Sequence, residues 1–101
     1  MIDILTKLIN DEISKEEAEQ IFDEIIEEFH SGQIKIPPNE EMCMNNYEWT
    51  AIMFGIDFAV LADWRKNGWP KSCSNCNKTI DYTKYGWIIK ENTLKCLECR
   101  K

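Results

Sequence analysis

Cys73-Ser74-Asn75-Cys76 and Cys96-Leu97-Glu98-Cys99 are the stretches that decide how the last third of this chain folds. Nineteen residues separate the two pairs. C-x2-C…C-x2-C is the pattern of a four-thiolate structural zinc site. Each pair forms a tight knuckle that aims two sulfurs at one ion, and the intervening segment is long enough for a β-excursion that brings the knuckles together. Thiolates suit zinc because they are soft and anionic, and four of them close the tetrahedron. A catalytic zinc keeps a position for water, whereas Cys73, Cys76, Cys96 and Cys99 leave none over. Iron held by similar knuckles is the less favoured alternative, because neither knuckle contains Gly or Pro. Four free thiols in a metal-free core would be a coincidence of spacing.

Between the knuckles, Tyr85-Gly86-Trp87-Ile88-Ile89 reads as a strand. Glu91-Asn92 can turn, and Thr93-Leu94-Lys95 returns to the second knuckle. The segment before the knuckles is helical in pattern. Ile2, Leu5, Leu8 and Ile9 predict a short helix over 2–10. Ser14 with Glu17 forms a capping box. Ala18, Ile21, Phe22, Ile25, Ile26 and Phe29 then mark an amphipathic helix that stops near Gly32. Pro37-Pro38 predicts an irregular, extended path over 33–44, the best internal linker. Asn45 with Glu48 offers a second cap. Residues 47–66 are expected to be one long, buried helix, apolar over most of its circumference. Asn67-Gly68 and Pro70 end it. The expected fold is α+β: an N-terminal three-helix layer over 1–70, carrying a C-terminal β-hairpin with the metal over 71–101. Trp69-Pro70 is the junction, and the whole is one compact unit.

At 101 residues the core is modest, so a metal clamp makes physical sense. No apolar run is long enough to span a bilayer. The opening Met1-Ile2-Asp3 soon turns acidic and lacks the pattern of a secretory signal. The five cysteines are an odd number, which argues against a disulfide framework and for a reducing, cytoplasmic setting.

The net charge of −6 is unevenly spread. Residues 1–44 carry −9, residues 45–70 carry −1, and residues 71–101 carry +4. Four thiolates with one zinc ion would subtract about 2 from the last figure. The acidic front disfavours nucleic acid and anionic membrane and suits a basic protein. Its acids gather on one helix face: Glu16, Glu19, Asp23, Glu24, Glu27 and Glu28. A solvated face is the ordinary meaning of such a run. A docking surface for a protein partner or a hard-metal site are the functional alternatives. Like charges one turn apart cost a few tenths of a kcal/mol per pair, so their retention suggests that the field is used.

The single histidine, His30, reads as a cation at a helix C-terminus rather than a metal ligand or general base. Cys43 lies in Met42-Cys43-Met44, which reads as buried packing rather than half of a Cys–His dyad. Asp57 is either a functional buried carboxylate or, more ordinarily, on a wet stripe or paired with a base. Asp63, Arg65 and Lys66 are expected at the surface. No nucleophile, base and oxyanion arrangement can be named, so the chain reads as non-catalytic. Lys71, Lys78, Lys84, Lys90, Lys95, Arg100 and Lys101 alternate with Trp69, Tyr82, Tyr85 and Trp87. Such interleaving can bind single strands. The alternative is that the rings cover a small core.

Residues 71–101 resemble a zinc ribbon, a hairpin with two knuckles. Asn77 and Arg100 stand where ribbons often have Gly. Asn tolerates the left-handed turn, while Arg100 questions the tightness of the second knuckle. Over residues 14–90, the stretches Asn45-Asn46-Tyr47-Glu48-Trp49-Thr50 and Trp64-Arg65-Lys66-Asn67-Gly68-Trp69-Pro70 carry a further resemblance. It is to small bacterial proteins with a helical front and a Cys-paired tail, some of them immunity proteins of polymorphic toxin systems. That resemblance implies a non-catalytic protein that neutralises a toxin, often a basic nuclease, through its acidic surface. The runner-up is a nucleic-acid-associated zinc-ribbon regulator.

Overall fold

The structure, a computed structural model, describes residues 2–84 and 86–99. Met1, Tyr85 at the start of the expected strand, and the basic Arg100 and Lys101 lie outside them. Among the described residues the fold is α+β, with five α-helices followed by a two-stranded antiparallel hairpin. Among the described residues, no helix is long and apolar enough to cross a membrane.

Helix α1 spans Ile4–Ile9, capped by Asp3, whose side chain accepts from the Thr6 N–H. Helix α2 spans Lys15–His30. Its N-terminus is closed by the expected capping box: the Ser14 Oγ accepts from the Glu17 N–H, and the Glu17 carboxylate accepts from the Ser14 N–H. Ala18 and Ile25 are buried, but Ile21, Phe22, Ile26 and Phe29 are only partly covered, so α2 lies along an edge of the body.

Two expectations for residues 33–67 need correction. Pro37-Pro38 does not forbid a helix. It starts one: α3, Pro38–Glu41, has Pro38 in the first turn. There the missing N–H costs nothing and φ is already helical. The expected long helix is two helices, α4 (Asn46–Met53) and α5 (Phe58–Asn67). Gly55 breaks it with φ of +88°, a left-handed conformation that side chains avoid. Asp57 then caps α5 by accepting from the Ala59 N–H at 2.9 Å. The circumferential apolar pattern of 47–66 belongs to two short helices that bury different faces.

Helix α1 packs chiefly on α5, and Ile4, Leu5 and Leu61 have no exposed surface. Burying each such side chain contributes about 2 kcal/mol. One continuous set of buried residues runs from Ile4 to Cys96. At its tail end, Trp69 stacks on Tyr82, and Tyr47, Trp64 and Trp87 pack round the same ring.

Strands β1 (Trp87–Lys90) and β2 (Thr93–Cys96) pair with Trp87 opposite Cys96 and Ile89 opposite Leu94. These four side chains are buried, while Lys90 points out. Glu91 and Asn92 make the turn, with φ of 54° and 62°. Two positive φ values in succession match the twist of the strands they join.

Candidate metal centre

Two different local structures deliver the sulfurs. The first knuckle sits in a small antiparallel turn: Ser72 bridges Thr79, Ile80 N–H donates to Lys71 O, and Cys73 N–H donates to Lys78 O. Asn77 closes it with φ of 62° and an N–H bond to Cys73 O, the left-handed turn expected of Asn at that position. The second knuckle leaves the end of β2, where Cys96 is the last strand residue, and curls through the 3-10 turn Leu97–Cys99. The two are tied directly, because Ser74 N–H donates to Leu94 O at 2.9 Å.

The sulfurs of Cys73, Cys76, Cys96 and Cys99 lie within 4.8 Å of one another, and Cys76 and Cys96 approach to 3.6 Å. All four are free thiols. A tetrahedron with Zn–S bonds of 2.3 Å has sulfurs about 3.8 Å apart, so a small contraction of this cluster seats one ion. Donors also face the sulfurs. Asn75 offers its backbone N–H to Cys73 Sγ and its side-chain amide to Cys99 Sγ, each at 3.4 Å. Such bonds stabilise thiolate over thiol. N–H groups, that of Cys76 foremost, pull the Cys73 thiol down to about 6 against the opposing effect of burial. Cys76 receives the Lys78 N–H but is crowded by the other three sulfurs, which push it up to about 12. Thiolates this close repel one another, and a divalent cation between them resolves the repulsion. The donor set, its number and its spacing fit a metal ion.

Burial is graded across the site. Cys73 has no exposed surface and Cys96 is buried, Cys99 is half-buried, and Cys76 is exposed. Among the described residues this is the one group of three or more His, Cys, Asp or Glu side chains that converges for a metal. The acids of α2 do not converge in this way. All six are exposed: Glu19 and Asp23 border a hollow near α4, Glu24, Glu27 and Glu28 line another with Ser31 and Gln33, and Glu16 lines neither.

His30 is the last residue of α2 and exposed, its ring 6.3 Å from that of Phe29. Met42 and Met44 are buried as the sequence suggested, but Cys43 between them is exposed, turned out by a φ of 58°. Asp57 is paired with a base: Lys15 Nζ lies 2.6 Å from its carboxylate. Arg65 is not the surface residue expected. Its Nε and Nη2 bind the two oxygens of Glu48, its Nη1 reaches Asp3 and Thr6, and Nη2 also reaches Cys43 O. The i+3 capping pattern revealed Glu48 only as a cap; nothing local announced its partner on α5. The tail aromatics Trp69 and Trp87 are buried and Tyr82 is stacked on Trp69, so these rings fill a core rather than form an open platform.

Compared with protein-family models, curated proteins and solved structures, the chain matches none of them, so the resemblance to immunity proteins has no relative behind it.

Proposed function

We propose that this chain is a non-catalytic zinc protein that works by holding another protein, and that the partner is basic. The ion at Cys73, Cys76, Cys96 and Cys99 is zinc in a structural role: four protein sulfurs fill the coordination shell and leave no position for substrate. One observation carries the binding reading. The acids Glu16, Glu19, Asp23, Glu24, Glu27 and Glu28 are all exposed on α2, and none of them is in a salt bridge among the described residues. A negative face that forms no ion pair of its own is available to steer a cationic partner. The specific form we propose is a toxin-neutralising immunity protein, acting in the cytoplasm by covering the cationic substrate surface of a toxin domain. The buried tail rings weigh against the alternative, a nucleic-acid-associated regulator, because that function needs open stacking faces.

The test is affinity capture from the native cell at low and high salt, followed by co-expression of the captured protein. The expected partner is basic, is toxic alone, is neutralised by this chain, and is released by salt. Reversing Glu24, Glu27 and Glu28 to Lys should weaken its capture. A partner indifferent both to salt and to the reversal would contradict the reading. Binding of random oligonucleotides that falls steeply with salt would replace it with the regulator.

A further inference from the structure

The break between α4 and α5 leaves an apolar hollow of about 360 Å³ against α2. Its floor is Phe22, Ile52, Ile56 and Phe58, and Met53 stands at its edge. Phe22 is held in place by the rings of Phe58 at 5.2 Å and Trp49 at 5.9 Å. Met53 is 58% exposed and the next residue, Phe54, is 45% exposed. Phe54 carries the apolar surface on towards the hairpin, its ring 6.1 Å from Trp87. Exposed large apolar side chains beside a hollow mark a contact surface more often than scattered ones do. The opposite wall is acidic. Glu19 and Asp23 sit three residues before and one residue after Phe22, on the same face of α2, and neither is in a salt bridge among the described residues.

We propose that this hollow is where the partner docks, and that it accepts a basic amphipathic segment of another protein. An apolar side chain rests in the hollow on Phe22 and Phe58, beside Met53, and Lys or Arg residues one turn away on the same segment meet Glu19 and Asp23. The argument for a basic occupant is charge complementarity. A second copy of this chain would bring two front halves of −9 together and is disfavoured. The inference rests on the protein-binding reading above and adds the place and the chemistry. It assigns the apolar anchor to the α4–α5 corner and leaves Glu24, Glu27 and Glu28, on their separate hollow, to long-range steering.

The test uses the full zinc-loaded chain, with methionine methyls and backbone amides labelled for NMR. The probe is a helical peptide of about fourteen residues, roughly four turns, with Leu on one face and Lys on the other. Met53 is exposed whereas Met42 and Met44 are buried, so its methyl reports on the hollow alone. The Met53 signal should shift saturably at low salt while Met42 and Met44 stay. Met53→Lys, at an exposed site that leaves the fold intact, should weaken binding about tenfold or more. A peptide with Glu in place of Lys should not bind. If the Leu/Lys peptide binds Met53→Lys unchanged and shifts Ser31 and Gln33 instead, the hollow is overturned and the acidic-face reading stands. If that peptide does not bind at low salt, both fall. Equal binding of the Leu/Glu peptide would overturn the charge argument. A Met53 shift that follows the concentration of the chain alone would make the face a self-association site and overturn the proposal.

Discussion

Arg65 and Glu48 form a two-pronged ion pair: Nε to Oε2 at 2.8 Å and Nη2 to Oε1 at 2.7 Å, with Glu48 only 3% exposed. Glu48 Oε1 also accepts the Asn45 N–H, so one carboxylate closes the start of α4 and holds α5. Through Asp3 the same guanidinium holds the start of α1. Burial works against the charge on Arg65, but Glu48 and Asp3 outweigh it and raise its pKa.

Removing one partner of such a pair leaves the other buried and unpaired. Arg65→Ala should therefore destabilise the protein by about 3 kcal/mol, measured by urea unfolding. Arg65→Lys keeps the charge but loses the planar fork, and should recover only part of that. A cost under about 0.5 kcal/mol for Arg65→Ala would show that the cluster is incidental.

Asp57 supplies a pH dependence. Burial opposes its charge, yet the Lys15 ion pair and the Ala59 N–H outweigh burial and lower its pKa below 3.8, while Lys15 is raised above 10.5, chiefly by its bond to Asp57. A lowered carboxylate contributes stability that is present above its unfolded value and lost as pH falls through the folded one. A raised lysine contributes stability that is present below its unfolded value and lost as pH rises through the folded one. The stability difference between the protein and Asp57→Ala should be about 1 kcal/mol near neutral pH, the usual worth of an N-cap. It should shrink as pH falls below 3.8. A difference that is flat across that range would show that the carboxylate charge contributes nothing.

Gly55→Ala tests the break between α4 and α5. A Cβ at Gly55 would meet nothing within 4 Å, so no clash confuses the result. The φ of +88° alone should cost about 1–2 kcal/mol. Gly55→Ala with unchanged or higher stability would mean that α4 and α5 join into one helix in solution.

The parts of this fold that were legible in the sequence are those decided within a few residues. The Ser14–Glu17 and Asn45–Glu48 caps are i, i+3 chemistry, and the Glu91-Asn92 turn and the left-handed Asn77 follow from residue type. The four cysteines were legible because knuckle spacing is itself local. The α4–α5 break was missed because a single Gly in an apolar run is often tolerated in a helix. The combination of Gly55 with a capping Asp57 was the available signal. Pro37-Pro38 was misread because proline stops a helix from inside but starts one at its first turn. The surroundings of Arg65 were not legible at all: its partners lie 17 and 62 residues away in sequence, and only packing brings them together. The hollow beside Phe22 was hidden for the same reason, since it exists only because the helix breaks.

The claim on which the rest depends is that a metal clamps the tail. Metal content per chain, measured on the purified protein, on Cys76→Ser and on Cys43→Ser, tests it most directly. The account predicts one zinc ion per chain in the protein and in Cys43→Ser. It predicts none in Cys76→Ser, with loss of the packed environment of Trp69 and Trp87 in near-ultraviolet circular dichroism. Cys76→Ser that kept both its metal and that signal, or a folded protein that purified without metal, would contradict it.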